Sequence, residues 1–82
     1  MDEIKTTVSR YILKDFLPGA KDSELTESTP LITGGILDSL ATLQLVHFLE
    51  EKYKIELQAF EVNVDHLNTV ADIAKLVNEK IS

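Results

Sequence analysis

The chain contains no cysteine, and this absence excludes disulfide bonds and thiolate metal sites. Its only histidines are His47 and His66, so a zinc site would need carboxylates as its main ligands. No apolar run approaches the roughly 20 residues that span a bilayer. The N-terminus, Met1 to Lys5, also lacks the basic and then apolar order of a signal peptide. We therefore expect a cytoplasmic protein without membrane insertion.

Basic residues are also scarce. The chain has eight lysine and arginine residues and 14 acidic residues, which gives a formal net charge of −6. Such a charge repels nucleic acid and anionic lipid, and it favours basic partner surfaces. The alternative is that acidity only maintains solubility. The length of 82 residues predicts a single domain, 1–82, which would bury about 60–65% of its unfolded surface.

Three stretches place apolar residues at helical spacing, and each has a start or stop signal. The first runs over residues 2–17, where Pro18 and Gly19 would stop it. The second runs from Asp38 to about Lys54. The third begins after Asn68 or Thr69, and Thr69 with Asp72 forms a pair resembling a capping box. Its predicted apolar face contains Val70, Ile73, Ala74, Val77 and Ile81.

Two connecting stretches lack a helical period. Residues 18–37 hold both prolines and all three glycines, which predicts one long loop with order near its C-terminal end. Residues 55–67 predict a loop with one short helical turn. We therefore expect an all-α fold, a small bundle of three to four helices with a long loop between the first two.

The predicted second helix has two different faces. The core stripe is predicted to contain Thr42, Leu45, Val46, Leu49 and Tyr53. The opposite face mixes apolar and polar side chains, namely Leu40, Gln44, His47 and Glu51, with Leu43 beside them and Ala41 and Phe48 along the flank. Such a face suits a transient docking surface. The alternative is that loop 18–37 covers Leu43 and Phe48.

The junction before this helix is the most informative stretch. Gly34 and Gly35 allow positive φ or a close approach of the backbone, and Asp38 followed by Ser39 is a helix start signal. Ser39 should therefore lie exposed at a helix N-terminus, which favours a phosphate attached to its hydroxyl or resting beside it. Alternatively, Asp38 and Ser39 form only a helix cap.

A nucleophilic enzyme is disfavoured by geometry, although residues 35–40 loosely resemble the motif of GDSL hydrolases. His47 would lie roughly 12 Å from Ser39 along the same helix, beyond the reach of a general base. His66 is not excluded by distance, but the chain is far too short for that hydrolase fold. The glycines also lack the spacing and the lysine of a nucleotide-binding loop.

The whole pattern resembles the acyl carrier protein family. The similarity rests on the stretch from Leu31 to Leu40, the helix with Leu45-Val46 and Leu49-Glu50-Glu51, Tyr53-Lys54-Ile55, and the stretch from Asp65 to Val70. It covers almost the whole chain, including its length, acidity and long first loop. An Asp-Ser-Leu at the start of the second long helix is the identifying feature of that family.

The resemblance implies that the chain is not an enzyme. Ser39 would receive 4′-phosphopantetheine from coenzyme A in a Mg²⁺-dependent step catalysed by a separate phosphopantetheinyl transferase. Asp38 would cap the helix and be read by the transferase. An acyl or aminoacyl group would be held on the added thiol as a thioester and presented by a monomeric carrier to loading ligases or synthases and downstream transferases. The residues implied on or near the partner-binding surface are Leu40, Ala41, Gln44, Val46 and His47.

The chain departs from that family at Ala41 and Gln44, where carriers of bacterial fatty acid synthesis typically have acidic residues. Partners that rely on basic-to-acidic steering should therefore bind this face less well. We interpret the difference as a specialised role. The stretches from Gly35 to Leu40 and from Val62 to Val70 resemble stand-alone carriers of polyketide, aminoacyl or D-alanyl pathways. We also expect little sequestration of cargo, because Leu45, Phe48, Leu49 and Tyr53 could fill the bundle. The alternative function is an unmodified helical adaptor that uses the exposed face of the second helix.

Overall fold

The computed structural model describes residues 2–17, 19 and 25–81, without the side chain of Asp2. Four helices follow one another: α1 (Asp2–Phe16), α2 (Ser39–Tyr53), α3 (Val64–Leu67) and α4 (Val70–Ile81). A 3-10 turn, Ala59–Glu61, lies between α2 and α3. The described ranges contain no strand. The predicted small all-α bundle is therefore confirmed.

The helix boundaries agree with the sequence pattern to within about two residues. Helix α1 ends at Phe16, and the N–H of Leu17 still donates to the carbonyl of Ile12 at 3.1 Å. The predicted stop at Pro18 falls outside the described residues. Helix α2 ends at Tyr53, and the next residue, Lys54, caps it with a φ of 56°, in the left-handed region typical of a C-terminal cap.

The core lies where α1 and α2 meet α4, and α3 also packs against α4. A side chain completely removed from water contributes about 1.5–3 kcal/mol through the hydrophobic effect, so this cluster dominates the stability. All four helices and the long loop contribute such side chains. The largest are Val8, Ile12, Leu31, Leu45, Leu49, Leu67, Val70, Ile73 and Val77.

Helix α4 begins as its sequence predicts. The hydroxyl of Thr69 accepts a hydrogen bond from the N–H of Asp72 at 3.0 Å, which confirms Thr69 as the capping residue. The predicted burial of Ile81 is wrong, because this last helical residue stands at the rim of a surface cleft and is 49% exposed. Leu76 is buried instead, because α3 packs against α4 and widens its covered face.

The connection between α2 and α4 is more ordered than predicted. It contains both the 3-10 turn and α3, whereas the sequence pattern predicted one short helical turn. The side chain of Asn63 starts α3 by accepting a hydrogen bond from the N–H of His66 at 3.1 Å. Helix α3 has only four residues, which is too short for a periodic apolar pattern that would predict it from the sequence.

An ion pair ties this connection to α4. Lys80 Nζ lies 2.7 Å from Glu61 Oε1, and the same carboxylate oxygen accepts the N–H of Gln58 at 2.9 Å. The bond from Lys80 is the largest cause that holds the pKa of Glu61 below its ordinary value, and the bond from Gln58 adds to it. Partial burial of the carboxylate opposes these effects and is outweighed.

The lowered pKa of Glu61 predicts a loss of stability in acid. A carboxylate whose folded pKa is depressed stabilises the fold above its unfolded pKa of about 4.3, and that stabilisation disappears as pH falls through the lower folded pKa. In urea unfolding between pH 7 and pH 3, Glu61→Gln should therefore lose less stability on acidification than the wild type. Glu51→Gln, at an exposed position on α2, is the control. An equal acid-induced loss in Glu61→Gln and the wild type would contradict this role.

Candidate functional site

Asp38 defines the start of α2. Its backbone is extended, with φ −87° and ψ −172°, and its Oδ1 accepts the N–H of Ala41 at 2.8 Å. Its carbonyl accepts both the N–H and the hydroxyl of Thr42, at 2.9 and 2.8 Å. The short polar side chain of Asp thus satisfies one of the N–H groups that every helix leaves unpaired at its first turn.

Ser39 is the first residue of α2, and its side chain is exposed. The hydroxyl makes no hydrogen bond with any other residue within the described ranges. It stands at the positive end of a helix of 15 residues, beside N–H groups that have no partner within the helix. The oxygen is therefore open to reaction, and a negative group attached to it would be stabilised.

The glycines before α2 have separate structural causes. Gly35 adopts a φ of +83°, which side-chain-bearing residues rarely adopt. Gly34 is needed for space, because a Cβ atom at this position would collide with the carbonyl oxygen of Pro30. The loop then closes through the N–H of Leu37, which donates to the carbonyl of Leu31 at 2.9 Å.

A surface cleft of about 610 Å³ lies beside Ser39. Three segments line it: the loop before α2, the first turns of α2, and the chain entering α3. Its lining is mainly apolar and consists of Ile32, Leu37, Asp38, Ser39, Thr42, Leu43, Val62, Asn63 and Val64. The sequence pattern did not reveal this cleft, because Val62 to Val64 lie in a stretch without periodicity.

The outer face of α2 is exposed as predicted at Leu40, Leu43, Gln44, His47 and Glu51. Leu40 and Leu43 are 65% and 53% exposed, so the loop does not cover Leu43. Phe48 is half-buried, but a helix covers it: its ring stacks on Tyr11 of α1 with centroids 3.9 Å apart. The alternative that loop 18–37 covers Leu43 is therefore wrong. For Phe48, the observed covering contact comes from α1 and not from the loop.

Two residues implied on the partner-binding surface are not accessible. Ala41 and Val46 are 9% and 8% exposed. Ala41 lies one turn before Leu45 and two before Leu49, so these three side chains form one buried row. Thr42 and Tyr53, which were predicted in the core stripe, are only half-buried, and the fully buried residues of α2 are Ala41, Leu45, Val46 and Leu49. The accessible part of the implied surface is Leu40, Gln44 and His47.

The histidines lie in different surroundings. His47 is exposed on α2, whereas His66 is half-buried on α3, with its Nδ1 2.8 Å from Asn63 Oδ1. Neither lines the cleft beside Ser39. Across residues 2–17, 19 and 25–81, no group of three or more histidine or acidic side chains is placed to hold a metal ion. Neither histidine is therefore placed beside Ser39 as the general base of a serine nucleophile would be.

The cap predicts a measurable effect of Asp38→Ala. Losing the bond to the N–H of Ala41 should lower the free energy of unfolding by about 1 kcal/mol, in the usual range for an N-terminal cap. Asp38→Asn retains an acceptor oxygen, so it should lower the free energy of unfolding by only about a few tenths of a kcal/mol. Urea unfolding of the three proteins measures the difference. Equal losses for both variants would contradict the capping role.

We compared the chain with protein-family models, with curated sequences and with solved structures. No protein-family model matches the chain. It is 32% identical to "Probable acyl carrier protein PigG" of Serratia sp. (strain ATCC 39006) over 74 residues, 90% of this chain and 84% of that protein. A chain in the solved structure "Crystal structure of FAD-dependent dehydrogenase" superposes with a TM-score of 0.77 at 37% identity, over 85% of this chain and 97% of that one.

The part of the chain that the structure describes includes no helix both long and apolar enough to cross a membrane.

Proposed function

The chain belongs to the acyl carrier protein family, and on that basis we propose that it holds acyl or aminoacyl groups on a 4′-phosphopantetheine arm attached to Ser39. The observation that supports this attachment best is the state of the Ser39 side chain. It is exposed, makes no hydrogen bond with the other described residues, and borders a mainly apolar cleft at the start of a long helix. These features fit a residue to which a separate enzyme attaches a group.

The residues around Ser39 suit the phosphodiester that such an attachment requires. The Ser39 oxygen lies at the positive end of α2, where the first N–H groups favour a negative charge. Asp38 fixes the first turn by accepting the N–H of Ala41, and its exposed carboxylate is accessible to a transferase. The arm supplies a thiol that forms thioesters, which this chain without cysteine otherwise lacks.

We propose that partner enzymes dock on the exposed face of α2. Leu40 and Leu43 supply apolar contact area next to Ser39, and Gln44 and His47 continue the same face. No acidic residue follows Ser39 in the first turn of the helix. Docking here should therefore depend on apolar contact more than on charge steering, and it should weaken little when salt is raised.

The partners in this proposal are a phosphopantetheinyl transferase, a loading ligase or synthase, and downstream enzymes. We include a flavin-dependent dehydrogenase among the last, because a similar chain occurs in a structure so described. That chain is shorter than this one, since the aligned region covers a larger share of it. A chain of this size is too small for the two-part sheet that binds dinucleotides, so we assign flavin chemistry to the partner.

The cargo in this proposal is small or remains largely in solvent. Leu45 and Leu49 are completely buried, while Phe48 and Tyr53 are half-buried at the edge of the core. The space next to Ser39 is a surface cleft, and Val62 and Val64 give it an apolar wall. A short acyl or aminoacyl group could rest against that wall without any rearrangement of the core.

The test of the function is modification of the purified chain. Incubation with coenzyme A, Mg²⁺ and a broad-specificity phosphopantetheinyl transferase should raise the intact mass by one phosphopantetheinyl group. A known carrier treated in parallel shows that the transferase is active. An unchanged mass of this chain beside a fully modified control carrier would overturn the proposal.

Substitutions on the docking face separate this function from the alternative adaptor. Leu40→Ala should reduce kcat/KM of the transferase by about tenfold, because an exposed apolar anchor is worth about 1–3 kcal/mol at an interface. Glu79→Ala, at an exposed position on α4, is the control. An adaptor without an arm predicts that the wild type itself gains no mass. Unchanged kcat/KM for Leu40→Ala would contradict the assigned face.

A further inference from the structure

We propose that Asn68 is a positioning residue that locks the loop before α2 to the α3–α4 corner, so that Ser39 is presented in one place. The inference rests on the proposed function and concerns the same site. Asn68 itself lies between α3 and α4, far from Ser39 in sequence. The hydrogen bonds of its side chain join it to that loop.

The side chain of Asn68 uses both of its polar atoms. Its Oδ1 accepts the N–H of Ile32 at 2.9 Å and the N–H of Thr33 at 3.0 Å. Its Nδ2 lies 3.2 Å from the hydroxyl of Thr33, to which it donates. A carboxamide is suited to this arrangement because its oxygen accepts two bonds while its nitrogen donates.

The backbone of Asn68 adds a further bond. Its carbonyl accepts the N–H of Leu31 at 2.6 Å, so one residue fixes three successive N–H groups of the loop. The side chain of Leu31 is completely buried in the core, so packing holds the same loop segment in addition to these hydrogen bonds. A second connection lies close by, where the N–H of Ala71 donates to the carbonyl of Glu27 at 3.1 Å.

The held segment leads directly to Ser39. The carbonyls of Ile32 and Leu31 accept the N–H groups of Gly35 and Leu37, at 3.2 and 2.9 Å. Leu37 is 2% exposed and precedes the Asp38 cap. Through these bonds, the position of the first turn of α2 is connected to the α3–α4 corner.

Asn68 also joins the two walls of the cleft. Ile32 and Leu37 form the loop wall, while Val62 and Val64 form the wall that leads into α3. Asn68 follows Leu67, the last residue of α3, so its bonds to the loop set the separation of the walls. Thr69 caps α4, which leaves the Asn68 side chain available for the loop.

Amide exchange and transferase kinetics test this role together. In Asn68→Leu, hydrogen exchange at Ile32 and Thr33 should accelerate by about tenfold or more, because their N–H groups lose an acceptor. With the Ser39 hydroxyl less well placed, kcat of the transferase should fall by about tenfold. KM should change little, because the exposed face of α2 remains.

Three further variants distinguish positioning from general stability. Asn68→Asp keeps an oxygen acceptor and should restore kcat to within about twofold of wild type. Val8→Ala, in the buried face of α1, should lower the melting temperature without lowering kcat at a temperature where it is folded. If Asn68→Leu does not fold, Thr33→Val should lower kcat by about twofold, because it removes only the side-chain part of the network.

The outcomes separate the two proposals. A wild type that gains no arm overturns the proposed function and the positioning role together. A modified wild type with an unchanged kcat in Asn68→Leu, or in Thr33→Val where that variant replaces it, overturns the positioning role alone. Equal losses of kcat in Asn68→Leu and Val8→Ala would overturn it as well, since reduced stability would then account for both.

Discussion

Ser39→Ala is expected to abolish attachment of the phosphopantetheinyl group while leaving the fold unchanged. Attachment needs the Ser39 oxygen, and alanine has none. The rest of the site would remain, because Asp38 still accepts the N–H of Ala41 and the loop bonds do not involve the hydroxyl. Intact-mass measurement after incubation with the transferase reports the loss, and thermal unfolding reports the fold.

The expected stability of Ser39→Ala follows from its place in the helix. The side chain is exposed and makes no hydrogen bond within the described ranges, and alanine is a strong helix former. The free energy of unfolding should therefore change by less than about 0.5 kcal/mol. Ser28→Ala, in the exposed part of the loop, is the matched control and should be modified like the wild type. A full mass increase in Ser39→Ala would show that another residue receives the group.

Gly34→Ala is expected to cause a large loss of stability, although it adds only one methyl group. The added Cβ would collide with the carbonyl oxygen of Pro30, and backbone cannot give way as a flexible side chain can. Overpacking of this kind costs about 1–3 kcal/mol, and we expect the upper part of that range. For a domain of this size, the melting temperature should fall by about 10–20 °C.

Gly35→Asn provides the comparison for Gly34→Ala. A Cβ at Gly35 would meet no atom within 4 Å, and its φ of +83° lies near the left-handed region that asparagine tolerates. This variant should lose less than about 1 kcal/mol. Thermal unfolding of both proteins measures the difference. A greater loss in Gly35→Asn than in Gly34→Ala would contradict the steric explanation.

Much of the fold could be predicted because three helices have periodic apolar residues and clear end signals. Asp38 and Thr69 both cap helices as the sequence indicates. The position of Ser39 at the start of α2 follows from the same signals. Periodicity and capping are local properties, so they can be interpreted without knowledge of the tertiary structure.

The remaining features depend on contacts between distant segments. Ala41 is small and stands at the edge of the predicted stripe, so only the packing of α2 shows that it is buried. Leu76 is buried because α3 packs beside it. Asn68 looked like a helix cap, yet it bonds to a loop 35 and 36 residues earlier in sequence. Such bonds leave no spacing pattern in the chain.

Fragmentation of the modified peptide tests the attachment to Ser39 most directly. Cleavage by trypsin after Lys21 and Lys52 releases residues 22–52, which contain the serines Ser23, Ser28 and Ser39. After incubation with coenzyme A and the transferase, every fragment that retains the added mass should contain Ser39. The group found on Ser23, Ser28 or a threonine, or absent from the peptide beside an active control carrier, would contradict the proposal that Ser39 carries the arm.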